Sequence, residues 1–256
     1  MKKCFMKTIP KALKVIIIAV IWIAIWEVIY LIVGKELIVP SPLHVFVRIF
    51  TLAGTGVFWG NIGTSLLRIL IGYLLAVILG VLVGLATAKV AFLDSFLTPA
   101  AKVIRATPVA SFIILLFVFA ARNHIPVITV FLMVLPVIWA NVYEGIKSTD
   151  LKLLEMAKVF ALKKGTIFRK IYVPQILPFF TAAVKTGIGL AWKAGIAAEV
   201  IVNPKFGIGT ALHDSKVYIE TTDLFAWTVV VIVISMILEK ILVRLIERAG
   251  RETKRA

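Results

Sequence analysis

A chain of 256 residues that is 61% apolar and 16% charged, with a mean hydropathy of +1.03, is too oily for a soluble domain, where about half the residues are apolar and a quarter charged. A net charge of +16 would suggest nucleic acid as a partner of a soluble protein, but beside this hydropathy it reads as basic loops facing anionic membrane lipid. The single cysteine, Cys4, excludes an internal disulfide or a cysteine metal cluster and is read as inert, with lipid attachment the minor alternative.

A hydrocarbon core of roughly 30 Å takes about 20 apolar residues per helix. Backbone groups there must be satisfied internally, so spans are helices or closed barrels, and the ~10-residue alternating segments of a barrel are not found. Six apolar stretches stand out, at residues 14–33, 62–88, 98–120, 125–145, 179–203 and 223–245. The first follows a lysine-rich tail. It is too long for a signal-peptide core and has no A-x-A site after it, so it reads as a retained anchor, and Glu27 within it is given no transport role. In the second, Arg68 lies near one end, where snorkelling suffices for it, and Gly80 and Gly84 form a GxxxG packing motif. The third is interrupted by Lys102, Arg105 and Pro108; both cations are expected to reach the nearby interface.

Lys and Arg set the orientation. With the N-terminus in the cytoplasm and six alternating spans, 21 of the 29 Lys and Arg fall on the cytoplasmic side and five on the outer side. The expectation is N-in, C-in.

The segment from Leu153 to Pro178, between the fourth and fifth spans, then faces the cytoplasm. It is basic, yet Leu153, Leu154, Ala157, Phe160, Ala161 and Phe168 recur at helical spacing. Asp150 can cap its start, Gly165 can absorb a turn, and Pro174 and Pro178 limit helical continuation. The pattern predicts a helix, a bend, a second short helix and a return to the membrane. It reads either as an amphipathic helix on lipid or as apolar knobs for a groove in a cytoplasmic partner.

Along the fifth span Lys185, Trp192 and Glu199 recur every seven residues, with Gly189 beside them and Lys193 about 80° away. Such a stripe marks a helix seam or a translocation pathway, and the two coincide at a dimer axis. Beyond it, Gly207 and Gly209 allow a tight re-entrant turn. His44, His124 and His213 share no spacing, and no metal site is assigned.

The string "EMAKVFALKKGTIFRKIYVPQILP" resembles the cytoplasmic EAA loop of binding-protein-dependent ABC importer permeases. Glu155 and Ala157 match its first and third positions, and Ile171, Leu177 and Pro178 its tail. Met156 replaces the middle alanine and Ala161 the usual glycine, so the bend belongs to Ala161 or, four residues on, to Gly165. Further segments resemble the nitrate/sulfonate/taurine-like branch: "LIVPSPLHVF" (37–46), "SLLRILIGYLLAVILGVLVGLATA" (65–88), "AWKAGIAAEVI" (191–201) and "FGIGTALHDS" (206–215). The resemblance implies an all-α membrane protein in a prokaryotic inner membrane. Two ATP-binding cassette ATPase subunits would dock on Glu155, Ala157, Phe160, Ala161 and Gly165. A substrate-binding protein would dock outside, a second copy would complete a homodimer, and Gly207 and Gly209 would form an outer gate or binding-protein contact.

The phosphate-binding string G-x-x-x-x-G-K-[ST] does not occur, and "KKGT" (163–166) is out of frame. ATP and Mg are therefore expected on the partner ATPase, with no cofactor bound by this chain and no enzyme activity of its own. Three regions are expected: a basic tail, anchor and outer loop at 1–57, the permease transmembrane domain at 58–246, and a basic tail at 247–256. The expected function is import of a small solute by alternating access. The branch implies an anion such as a sulfonate, taurine or nitrate. A thiamine-precursor-type importer and, outside the family, a secondary transporter, channel or membrane enzyme are the alternatives.

Overall fold

The structure, a computed structural model, describes residues 10–253; the side chains of residues 11, 12 and 245–253 lie outside that description, as do Cys4 and most of both basic tails. Among the described residues every regular element is helical: α1 Lys11–Val33, α2 Pro42–Ala53, α3 Gly56–Lys89, α4 Ala91–Ala106, α5 Val109–Phe119, α6 Ile125–Lys147, α7 Leu151–Val159, α8 Lys164–Ile167, a π-helical turn Phe168–Tyr172, α9 Val173–Val202, α10 Ile208–Val217 and α11 Thr221–Thr253. Five of the six expected apolar stretches are single helices, whose ends fall within about eight residues of the predicted bounds.

Three helices, α3, α6 and α9, form the core. Ile69, Tyr73, Val134, Ile138, Ile188 and Trp192 meet there, and Ile208 of α10 and Trp227 of α11 extend it. Apolar burial drives no association within lipid, so close van der Waals packing must, and small residues make it possible. Gly72, Ala76, Gly80 and Gly84 recur every four residues down one face of α3, all buried. A Cβ on Gly72 would lie 2.5 Å from the Val127 carbonyl oxygen, and one on Gly84 would lie 2.9 Å from that of Trp139. Two side-chain bonds lock this core: Tyr73 donates to the Val184 carbonyl at 2.8 Å, and the Trp139 indole donates to Thr87 Oγ1 at 2.8 Å.

The expected third span is not a straight helix. Its two halves, α4 and α5, meet at 109° across Thr107–Pro108, because a residue before proline is pushed out of the helical region and Thr107 is extended (φ −79°, ψ 127°). By length and composition four helices qualify to cross a membrane, α1, α3, α6 and α11, and the bent pair would make a fifth. The 30-residue α9 is long enough but carries Lys185, Lys193 and Glu199.

Helix α1 stands nearly apart. None of the residues in its most apolar window is buried, and it is tied at its far end by Trp26, whose indole donates to the Pro40 carbonyl at 3.1 Å and whose ring stacks on Phe225. Helix α2 is fixed by charge: Arg48 makes a two-pronged bond to Asp223 at the start of α11, at 2.5 and 2.8 Å.

The prolines behave differently from expectation. Pro174 sits in the first turn of α9, where its missing N–H costs nothing, and α9 continues through Pro178. The second short helix is therefore not separate: α8, the π turn and α9 run on without a break from Lys164 to Val202.

A leucine at Gly72 must displace the α6 backbone, which costs about 3 kcal/mol; thermal unfolding in detergent should show a large drop or no monodisperse protein. Gly63, with no atom within 4 Å of a built Cβ, should accept the same change within roughly 0.5 kcal/mol.

Candidate functional site

The bundle has two ends, one carrying α7 and the other α10. At the α7 end, Asp150 caps α7 as expected, its carboxylate accepting from the Lys152 N–H at 2.9 Å. Leu153, Leu154 and Ala157 turn inward, and Ala157 is buried. Phe160, placed by spacing on that same inner face, instead points out at 70% exposure beside Val159 at 82%, with Leu151 and Met156 also exposed. Glu155 lies on the exposed side. The bend falls at Ala161, not Gly165. Ala161 is left-handed (φ 48°), the Ala161 N–H bonds the Lys158 carbonyl and the Leu162 N–H bonds the Ala157 carbonyl, which is a Schellman closure. Gly165 lies inside α8 with open space around it. The helical spacing therefore ends at Val159, which is why it misplaced Phe160. Phe168 is 39% exposed, with the Lys89 ammonium over its ring at 5.7 Å.

At the α10 end, α9 delivers Glu199 into a fully buried position. Its Oε1 accepts from Arg68 Nη1 at 3.1 Å; its Oε2 accepts from the Ser65 hydroxyl at 2.5 Å and from the Gly209 N–H at 3.1 Å. Ser65 Oγ in turn accepts from the Ile208 N–H at 2.8 Å, and Asn61 Oδ1 accepts from the Gly207 N–H at 3.1 Å. The opening N–H groups of α10, which a helix cannot satisfy itself, are thus taken by side chains from α3 and α9, and the carboxylate sits where the helix start favours negative charge. Both glycines are needed. Gly207 has φ 157° and ψ 160°, a conformation essentially restricted to glycine, and a Cβ there would lie 2.7 Å from Glu199 Oε2; a Cβ on Gly209 would overlap that of Glu199.

Arg68 does not snorkel. Its side chain is 12% exposed and also donates to the Phe206 carbonyl and, through Nη2, to Asn123 Oδ1 at 3.1 Å. It joins α3, α9, the turn before α10 and the loop before α6. Snorkelling explained a lone arginine; the acid 131 residues away makes it a pair. Asn61, Ser65 and Arg68 were missed as a set, although their spacing of four and three puts all three on one face of an otherwise apolar helix.

The heptad stripe of α9 is not one surface. Trp192 and Glu199 are buried within the chain, Lys185 and Gly189 are half-buried, and Lys193 is exposed. The Trp192 indole N–H has no hydrogen-bond partner among the described residues.

Two adjoining cavities open beside α6. One, of about 610 Å³, lies at the α4–α5 break and is lined by Arg105, Thr107, Pro108, Pro136, Asn141 and Leu190, among others; the second, of about 280 Å³, shares Arg105 and holds Asp94, Lys102 and Tyr143. Arg105 was expected at an interface. It instead donates to the Pro136 carbonyl, midway along α6. Asp94 accepts from Tyr143 at 3.1 Å and from Thr98 at 2.9 Å. Among the described residues no three acids, histidines or cysteines group as metal ligands; His44 contacts Glu36, and His213 Nδ1 lies 2.9 Å from the Val200 carbonyl.

Residues 76–251 match a family described as binding-protein-dependent transport system inner membrane component. The chain is 27% identical over 240 residues to a putative aliphatic sulfonates transport permease of Bacillus subtilis (strain 168), covering 92% of this chain and 86% of that one. It is 32% identical over 206 residues to a nitrate import permease of Synechococcus elongatus, covering 76% and 73%. A solved structure of an amino acid ABC transporter with histidines shares the fold, with a TM-score of 0.62 over 81% of this chain and 96% of that chain at 16% identity.

Removing Arg68 strands the Glu199 carboxylate. Arg68→Met should cost about 3–5 kcal/mol, and adding Glu199→Gln should recover part of it in the same thermal-unfolding series. At the other end, Ala161→Gly relieves a left-handed alanine that costs roughly 1–2 kcal/mol, so amides of residues 151–163 should exchange more slowly.

Proposed function

The chain belongs to the family of inner-membrane components of binding-protein-dependent transport systems, and from that membership we propose that it moves a small anion, of the sulfonate, taurine or nitrate kind, into the cytoplasm as the permease of an ATP-driven importer. The chain is a multi-pass membrane permease. The relatives' names, with aliphatic sulfonates and nitrate in them, support an anionic substrate.

The observation that carries the mechanism is the α7 surface. Phe160, Val159, Leu151 and Met156 present apolar area on a short helix capped at one end and closed by a turn at the other. Rigid apolar knobs of this kind suit a groove in a partner. In this reading the α7 end faces the cytoplasm, as the positive-inside rule requires. Two ATPase subunits, carrying ATP and Mg, dock there, one on each copy of a homodimer, and α9 crosses the membrane with the other spans. A substrate-binding protein docks at the α10 end, where Gly207 and Gly209 shape the outer turn.

The unbroken course from α8 to Val202 gives the coupling a physical route. Closure of the ATPases on ATP displaces α7 and α8. The displacement passes along α9 as a rigid body, and α9 ends in the Glu199 network that fixes α10. ATP then shifts the permease between outward-open and inward-open states by the difference in its affinity for them.

Tagged full-length chain expressed in its native host and extracted in mild detergent should bring down an ATPase with measurable ATP hydrolysis. Phe160→Asp and Glu155→Lys should abolish that recovery while the permease itself stays monodisperse. If the wild-type chain purifies alone and transports on an ion gradient, the docking role of α7 is wrong.

A further inference from the structure

Arg105 occupies a place the transport reading leaves without a role. It lines the cavity of about 610 Å³ at the α4–α5 break, and its bond to the Pro136 carbonyl holds its exposed side chain at mid-height of α6, a helix long and apolar enough to cross a membrane. A charge placed there costs roughly 2.5–3.5 kcal/mol on insertion scales and marks function by default. No carboxylate pairs with it among the described residues. The acid of the adjoining cavity, Asp94, is taken up by Tyr143 and Thr98. A guanidinium has five N–H donors in a planar fork, and the Pro136 bond occupies one nitrogen.

A second feature of the cavity points the same way. Pro108 is the N-cap of α5, and Val109, the first residue of the helix, also lines the space. First-turn N–H groups lack intrahelical acceptors and carry partial positive charge, and half-helices broken at membrane depth aim such starts at anionic solutes. The rest of the wall, Ile104, Met133, Val137 and Leu190, is apolar.

We infer that this cavity is an anion subsite in which Arg105 holds the oxyanion group of a small solute, a carboxylate, sulfonate or nitrate, with any short carbon tail against the apolar wall. The inference rests on the importer reading for its substrate class. It places the anion-binding charge on Arg105 rather than on Lys185 or Lys193 of α9. A planar fork pairs with two oxygens at once where an ammonium offers a point charge, so the site distinguishes Arg from Lys.

The test uses the full chain in detergent micelles at constant ionic strength, with sodium nitrate, methanesulfonate or acetate replacing sodium chloride. Thermal unfolding of the wild type should rise saturably with at least one of the three at millimolar concentration. Arg105→Lys, which keeps the charge and a donor for Pro136, should weaken the half-saturation about tenfold, the loss of one charge-assisted hydrogen bond. Arg105→Gln should abolish the effect, and Arg122→Gln should leave it unchanged. A saturable shift that Arg105→Lys and Arg105→Gln both leave intact overturns the assignment, as does a wild type that responds to none of the three anions. Protection by dihexanoyl phosphatidylglycerol but by none of the small anions makes the site a lipid headgroup pocket and equally overturns it. ATPase recovery on the same preparations separates the two readings: a partner retained while anion protection fails removes only the subsite, and a wild type without a partner removes the importer.

Discussion

A carboxylate with no access to solvent is the constraint on which the α10 end of this molecule is built. Glu199 is fully buried, and burying an unpaired carboxylate costs several kcal/mol. The surrounding sequence is arranged to meet that cost. Arg68 supplies the countercharge, Ser65 and Gly209 supply the remaining donors, and the glycines let the backbone of the turn come within bonding distance. Once Glu199 is satisfied, the direction of α10, the course of the 203–207 turn and the register of α3 against α9 are all set. Two further buried polar side chains at this end, Asn61 and Thr210, close the backbone around it.

The middle of the bundle is held by a different logic. Lipid tails are as apolar as leucine, so helices there gain by touching closely rather than by hiding surface. The four-residue ladder of Gly72, Ala76, Gly80 and Gly84 brings α3 onto the α6 backbone, and Gly195 of α9 meets Ile69 of α3. Such packing fixes relative position to within a methyl group. The half-buried and exposed face of α9, by contrast, carries Thr186, Gly189 and Lys193, and the bent pair α4–α5 leaves open space beside α6.

Hydropathy made the spans legible because a 20-residue apolar run has few other uses. The cap at Asp150 was legible because it depends on one residue and its neighbours. The bend at Ala161 was half legible: the loop pattern located it, but glycine preference drew attention to Gly165, and the Schellman bonds from Ala161 and Leu162 decide the matter by backbone geometry that tolerates alanine at a cost. The partners of Glu199 were not legible. Each of Asn61, Ser65 and Arg68 has a bland explanation alone, and only contact across more than 130 residues brings Ser65 and Arg68 to Glu199 and Asn61 to the Gly207 N–H beside it. Arg105 was misplaced for a related reason. Counting from a presumed helix end assumes a straight helix, and the 109° break brings the residue to the middle of α6 instead.

The π turn at Phe168–Tyr172 sets the phase of everything that follows it. Such a turn holds one residue more than an α-helical turn, so α9 is rotated by about 100° relative to an uninterrupted continuation of α8. With the same residues in an unbroken α-helix, Glu199 would swing by that angle away from Arg68 at the opposite end, whereas deleting one residue while the turn tightens to α-helical leaves the phase of α9 as it is. The five-residue segment therefore acts as an angular setting, in which turn geometry and chain length are matched to each other. Its side chains are tied to that setting as well, since Ile171 is buried.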